Sequence, residues 1–138
     1  RREARDGAAD VQARVMVFRP QLSPLARRYG AAAFALCLLA ILFLSLAPAD
    51  ATPAPDLGGD KVRHALAYFV LTGLGLYAFG PRPVLLGGIL LLGAGVEIAQ
   101  ALMGLGREGD LVDLVANLSG EAAALLLWRA WGRWRGAR

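Results

Sequence analysis

The chain is 138 residues long, 57% hydrophobic and 19% charged, with fifteen Lys or Arg against eleven Asp or Glu. A soluble domain of this length is about 45–50% apolar and about 25% charged, and the mean hydropathy of +0.48 is well above that. A soluble enzyme, a nucleic-acid module and a disulfide scaffold are poor fits, the last because Cys37 is alone and has no partner for an internal bond.

In chain order, residues 1–29 are polar and Arg-rich and read as a basic tail without regular structure. The first apolar segment is Gly30 to Ala47, stopped by Pro48 and a stretch holding Pro53 and Pro55. Ala47-Pro48-Ala49 resembles a signal-peptidase site. The apolar run before it is longer than the roughly 7–15 residues of a secretory signal, so a retained helix is expected. A second segment starts near Asp60 and runs to Gly80, where Pro81 and Pro83 end it. The third is Val84 to Met103, with Glu97 as its one charge, and the fourth is Leu111 to Trp131. Trp128, Arg129, Trp131, Arg133, Trp134 and Arg135 close the fourth, a mixture suited to a membrane interface. Spanning a bilayer takes roughly 20 apolar residues. The expected fold is therefore an all-α integral membrane bundle of four transmembrane helices over residues 30–131, with a basic tail at 132–138.

Charge placement predicts the orientation. Seven basic residues lie in 1–29, Arg82 lies in the loop at 80–83, and four more lie in 129–138. Lys61, Arg63 and Arg107 are the remaining three. The positive-inside rule then puts both termini in the cytoplasm, N-in and C-in, with loops 48–60 and 104–110 outside. The basic balance reflects contact with anionic lipid rather than nucleic acid.

Polar groups within the spans are expensive and need an explanation. Asp60, Lys61 and His64 fall on the outermost turns of the second helix. Glu97 and Gln100 fall in the last turns of the third, and Asp110, Asp113 and Asn117 open the fourth. All reach one depth at the outward end. At about 100° per residue, His64, Tyr68, Leu71 and Gly75 share one stripe. Gly93, Glu97, Gln100 and Gly104 share another, and Asp110, Asp113, Asn117, Gly120, Glu121 and Ala124 a third. Capping explains Asp60 and Asp110 on its own. Interhelical hydrogen bonds explain Asn117 and Gln100 without invoking a ligand. The combination with His64, Glu97, Arg107 and Asp113 favours a functional pocket. Glu121 lies deeper, near mid-membrane, and its role stays open. Asn117-Leu118-Ser119 matches a glycosylation sequon but sits inside a helix.

Three stretches carry a resemblance. Asp60-Lys61-Val62-Arg63-His64-Ala65-Leu66-Ala67-Tyr68-Phe69, Glu97-Ile98-Ala99-Gln100, and Arg107 through Asp110, Asp113, Asn117 and Gly120 resemble, in this order, the VanZ-like family. The likeness covers roughly residues 35–128. It implies a small four-helix protein of the bacterial cytoplasmic membrane with an envelope role, the family's namesake lowering susceptibility to teicoplanin. Glu121 and Ala124 depart from the pattern, where a small apolar residue and a second glycine are expected.

The leading expectation is action on, or binding of, a lipid-like amphiphile or lipoglycopeptide at the outer leaflet. His64 is the candidate general base, with Glu97 and Asp113 orienting it or supplying a proton. Lys61 and Arg107 are candidates to hold an anionic headgroup, and Tyr68, Gln100, Asp110 and Asn117 line the site. A non-catalytic binding role and proton movement through Glu121 are the alternatives. Asp60, His64, Glu97 and Asp113 offer donors to a divalent ion, but their spacing is not a recognised metal signature, so no cofactor is expected.

Overall fold

The computed structural model describes residues 22–48, 59–103 and 110–136. Four helices make up nearly all of this, with no strand among the described residues: α1 Pro24–Leu46, α2 Asp60–Phe79, α3 Pro83–Met103 and α4 Leu111–Gly136. Their lengths of 20 to 26 residues correspond to about 30–39 Å at 1.5 Å per residue, enough to cross a hydrocarbon layer of about 30 Å. All four are also apolar enough to do so. A helix suits that setting because it satisfies its own backbone hydrogen bonds.

Local chemistry sets each boundary. Ser23 accepts from the Ala26 N–H at 3.2 Å and Pro24 occupies the first helical position, so α1 starts well before Gly30. Arg27, Arg28 and Tyr29, read from sequence as tail, are helical. Gly59 precedes α2 with φ +98°, a value that favours glycine. Asp60 is therefore the first residue of the helix and not its cap, and it makes no capping hydrogen bond. Gly80 ends α2 at φ +78°, its N–H bonded to Leu76 O at 2.9 Å. Asp110 does cap α4: Oδ1 accepts from Val112 N at 2.8 Å, and its carbonyl accepts from Asp113 N at 3.0 Å. α4 continues past Trp131 to Gly136. There Trp128 packs edge-on against Trp131, with ring centroids 5.4 Å apart, and Arg135 lies 5.1 Å over the Trp131 ring.

α2 is the central helix. It packs most extensively on α4, next on α1, and more lightly on α3. Its inward stripe of Tyr68, Leu71, Thr72, Gly75 and Leu76 is buried. Tyr68 and Leu71 meet Ile41 and Ile89 in a core to which Phe34, Cys37 and Leu85 contribute partly buried surface. Small residues allow these approaches. A Cβ on Gly30 would strike the Tyr77 ring at 2.8 Å, and one on Gly75 would press on Leu85 and Phe34 at 3.1 Å. Close approach of this kind replaces hydrophobic driving force where the surroundings are apolar. Outside, Leu36, Leu39, Phe43, Val84, Leu91, Leu102 and Leu126 are each more than half exposed. So large an apolar surface is unusual for a soluble monomer, and the chain has the construction of a multi-pass membrane protein.

Candidate functional site

The start of α2, the end of α3 and the start of α4 lie at one end of the bundle, tied together by side chains far apart in sequence. Lys61 Nζ donates to Asp110 Oδ2 at 2.6 Å and to Asp113 Oδ1 at 2.5 Å. Glu97 Oε2 accepts from the Asp110 backbone N–H at 3.0 Å, placing a carboxylate where a helix N-terminus is positive. Gln100 donates to Ser45 O at 2.9 Å, joining the last turns of α3 and α1. Arg63 donates to Asp60 Oδ1 at 2.6 Å along α2.

His64 stands at the centre. Its Nδ1 lies 3.1 Å from Asn117 Oδ1. An amide oxygen only accepts, so this contact is made by a proton on Nδ1. Nε2 faces Asp60 Oδ2 and Asp113 Oδ2, each at 3.9 Å, and Glu97 Oε1 lies 4.0 Å from Nδ1. Three helices thus set an imidazole among three carboxylates and an amide. Glu97, Gln100, Asp113 and Asn117 are all buried, at 8% exposure or less. Burying such groups is tolerable only because they satisfy one another.

The satisfaction is incomplete. Tyr68 Oη, Thr72 Oγ1, Glu97 Oε1 and Asn117 Nδ2 are buried with no hydrogen-bond partner. Two of them, Tyr68 and Asn117, line a shallow, closed-up cleft with Ile89, Leu90, Gly93, Leu114, Leu118 and Glu121, too tight in this structure to hold a water molecule. The groove runs between α3 and α4 over α2. Leu90 and Leu118 on its rim are 41% and 40% exposed, so it opens on the apolar outer surface. Gly93 forms its floor: a Cβ there would come within 3.3 Å of the Tyr68 ring and 3.4 Å of Asn117 Nδ2.

Of the residues expected from sequence, His64, Glu97, Asp110, Asp113, Asn117 and Lys61 are brought together, and Tyr68 lines the adjoining groove. Lys61 was expected to hold an anionic headgroup; its ammonium is instead committed to two carboxylates. Gln100 serves the α1–α3 junction. Arg107 lies outside the described residues. Glu121 is buried on the groove wall, 9% exposed. Sequence reasoning gave no part to Thr72, although it follows Tyr68 by one turn on the inward stripe. The Arg63–Asp60 pair was likewise missed, although its i, i+3 spacing was readable.

Asp110, just outside the spans, has its carboxyl held below the ordinary aspartate range, first by the Lys61 ammonium and then by the Val112 N–H. A lowered pKa contributes stability at pH above the ordinary value of about 3.9, and that stability is lost as pH falls through the lowered value. The thermal stability of Asp110→Asn in detergent should therefore fall below that of the parent at pH 6. The gap should narrow once pH drops under the ordinary aspartate value and close as it passes through the lowered one; a gap independent of pH would show that the carboxylate charge is not what matters.

No family model, no curated protein and no solved structure matches the chain. Its functional reading rests on its own residues.

Proposed function

We propose that the chain is a VanZ-like protein of the bacterial cytoplasmic membrane, N-in and C-in, that binds a lipid-like amphiphile at the outer leaflet. The observation that carries this reading is the continuity of an apolar groove with a polar chamber through Asn117. Ile89, Leu90, Leu114 and Leu118 offer an acyl chain the wall it needs. Tyr68 Oη and Asn117 Nδ2, both unpartnered, offer hydrogen bonds where chain gives way to headgroup. With Lys61 and Arg63 already paired and three carboxylates around His64, the described part of the chamber favours hydroxyl- or amine-bearing headgroups over a bare anion. An envelope lipid or the acylated glycopeptide teicoplanin has this combination of tail and polar head.

Gly93→Leu tests the groove. Its Cβ would meet the Tyr68 ring and Asn117 Nδ2, side chains rather than backbone, and the rest of the side chain would block the cleft from opening. Native mass spectrometry of the purified protein should show phosphatidylethanolamine retained by the parent and retained at least tenfold less by Gly93→Leu. Cells expressing the parent should be less susceptible to teicoplanin than cells expressing either Gly93→Leu or His64→Ala at equal membrane abundance. Equal lipid retention and equal susceptibility across the three proteins would defeat the reading.

Catalysis in the chamber is the second reading, favoured by one observation: the Asn117 contact at Nδ1, which leaves His64 Nε2 directed at the Asp60 and Asp113 carboxylates. It predicts that His64→Gln abolishes turnover of a bound amphiphile while leaving its retention intact. Simple binding predicts no turnover in the parent.

A further inference from the structure

Around His64 Nε2 the chamber has a feature that headgroup binding does not require. One ligand atom from each of Asp60, His64 and Asp113 lies within 4.8 Å of the other two. Acidic clusters are common, but this one is built. Arg63 holds Asp60 by Oδ1 and Lys61 holds Asp113 by Oδ1, so the second oxygen of each carboxylate is turned toward the same ring nitrogen. Asn117 Oδ1 lies 3.1 Å from Nδ1, placed to accept from it, the kind of outer contact that commonly orients a metal-bound imidazole and fixes its tautomer. Glu97, 8% exposed, aims an unpartnered oxygen at the other side of the ring.

With Nδ1 as the donor to Asn117 Oδ1, Nε2 and the two carboxylate oxygens converge from two helices. Two carry negative charge, and such an arrangement is stabilised by a cation at its centre. We propose that Asp60 Oδ2, His64 Nε2 and Asp113 Oδ2 bind one divalent transition-metal ion, of the zinc or manganese class.

Mixed imidazole and carboxylate donors suit these ions better than they suit calcium or magnesium. A four-coordinate ion sits about 2.0–2.2 Å from such ligands, which requires donor separations of about 3.3–3.6 Å by tetrahedral geometry. The observed separations, 3.9 Å from Nε2 to each carboxylate oxygen and at most 4.8 Å between any two of the three, are wider than that range. An ion would therefore draw all three donors inward; Asp60, whose side chain is 50% exposed, has the most freedom to follow. Three protein ligands leave a position for water or for a ligand oxygen. The inference shares the chamber with the amphiphile reading but does not depend on it, because the metal alone tests it.

The test uses the full chain, purified in detergent, stripped with EDTA and titrated calorimetrically with ZnCl₂ and, separately, MnCl₂. One saturable site per chain is expected. Asp60→Asn and His64→Ala should each weaken it at least tenfold, and Asn117→Ala, a positioning residue, by about 10–100-fold. Asp60 is exposed on the first turn of α2, so its variant keeps the fold whatever becomes of His64→Ala. His64 is the chain's one histidine, so its ring nitrogens give unambiguous ¹⁵N signals. Stoichiometric Zn²⁺ should shift Nε2 strongly and leave Nδ1 protonated. The proposal is overturned if the parent shows no saturable site, if Asp60→Asn binds as tightly as the parent, or if Nε2 does not respond. Zn²⁺ binding that survives a failed lipid-retention experiment supports the metal site and counts only against the amphiphile reading.

Discussion

Gly120→Ala is expected to destabilise the protein by about 3 kcal/mol or more, at the upper end of what overpacking ordinarily costs. A Cβ on Gly120 would land on the carbonyl oxygen of Ala65 and within 2.9 Å of both the Ala65 carbonyl carbon and the Phe69 nitrogen. These are backbone atoms of α2, so no rotamer change relieves the clash and the two helices must part. They form the most extensive interface in the bundle, and the Lys61–Asp113 and His64–Asn117 contacts cross it. Separation therefore weakens the core and the chamber together. Gly87 and Gly95 provide controls, since a Cβ at either meets nothing within 4 Å; alanine there should be neutral or mildly stabilising through helix propensity. Reversible unfolding in mixed micelles measures all three. If Gly120→Ala unfolds like Gly95→Ala, the α2–α4 approach described here is wrong.

The same interface shows what a sequence can and cannot reveal. Four spans were legible because long runs without charge have few uses outside a bilayer. The stripes were legible too: Tyr68, Leu71 and Gly75, then Gly93, Glu97 and Gln100, then Asp113, Asn117, Gly120, Glu121 and Ala124 are buried as the helical period predicts. Helix ends were harder to read. Arg27 and Arg28 suggested a tail, but Ser23 and Pro24 make a start signal strong enough to carry α1 through them. At the other end of the chain, Arg133 and Arg135 did not stop α4, because basic groups in a last turn are favourable. Partner choice was not legible at all. Lys61 meets Asp110 and Asp113 across 49 and 52 residues, and which cation meets which carboxylate depends on the rotation and depth of each helix. That is why Lys61 looked available for a headgroup when it is already engaged, and why the convergence of Asp60 with Asp113 on His64 Nε2 did not stand out.

The second large effect is expected from Lys61→Met, and its direction follows from an asymmetry of burial. Asp113 is 7% exposed in its side chain, whereas Lys61 is 44% exposed. Removing the ammonium strands a buried carboxylate. Removing the carboxylate leaves a cation that still reaches water and Asp110. Breaking a buried pair from the side that leaves the charge inside is the costly direction, while replacing both partners by apolar groups is often neutral. Lys61→Met should therefore lower the melting temperature in detergent far more than Asp113→Leu does. The double variant Lys61→Met/Asp113→Leu should recover more than half of the loss caused by Lys61→Met alone. The three values form a cycle whose coupling term isolates the pair. Additive losses would mean that Lys61 and Asp113 do not depend on each other. Greater damage from Asp113→Leu than from Lys61→Met would mean that the aspartate is needed for something other than its ammonium partner. Metal titration of the same proteins separates these outcomes further. Asp113→Leu, and the double variant with it, should lose saturable Zn²⁺ binding. Lys61→Met should keep a saturable site but bind Zn²⁺ more weakly, because the Asp113 oxygen facing His64 is not the one that Lys61 holds, yet that hold helps to aim it.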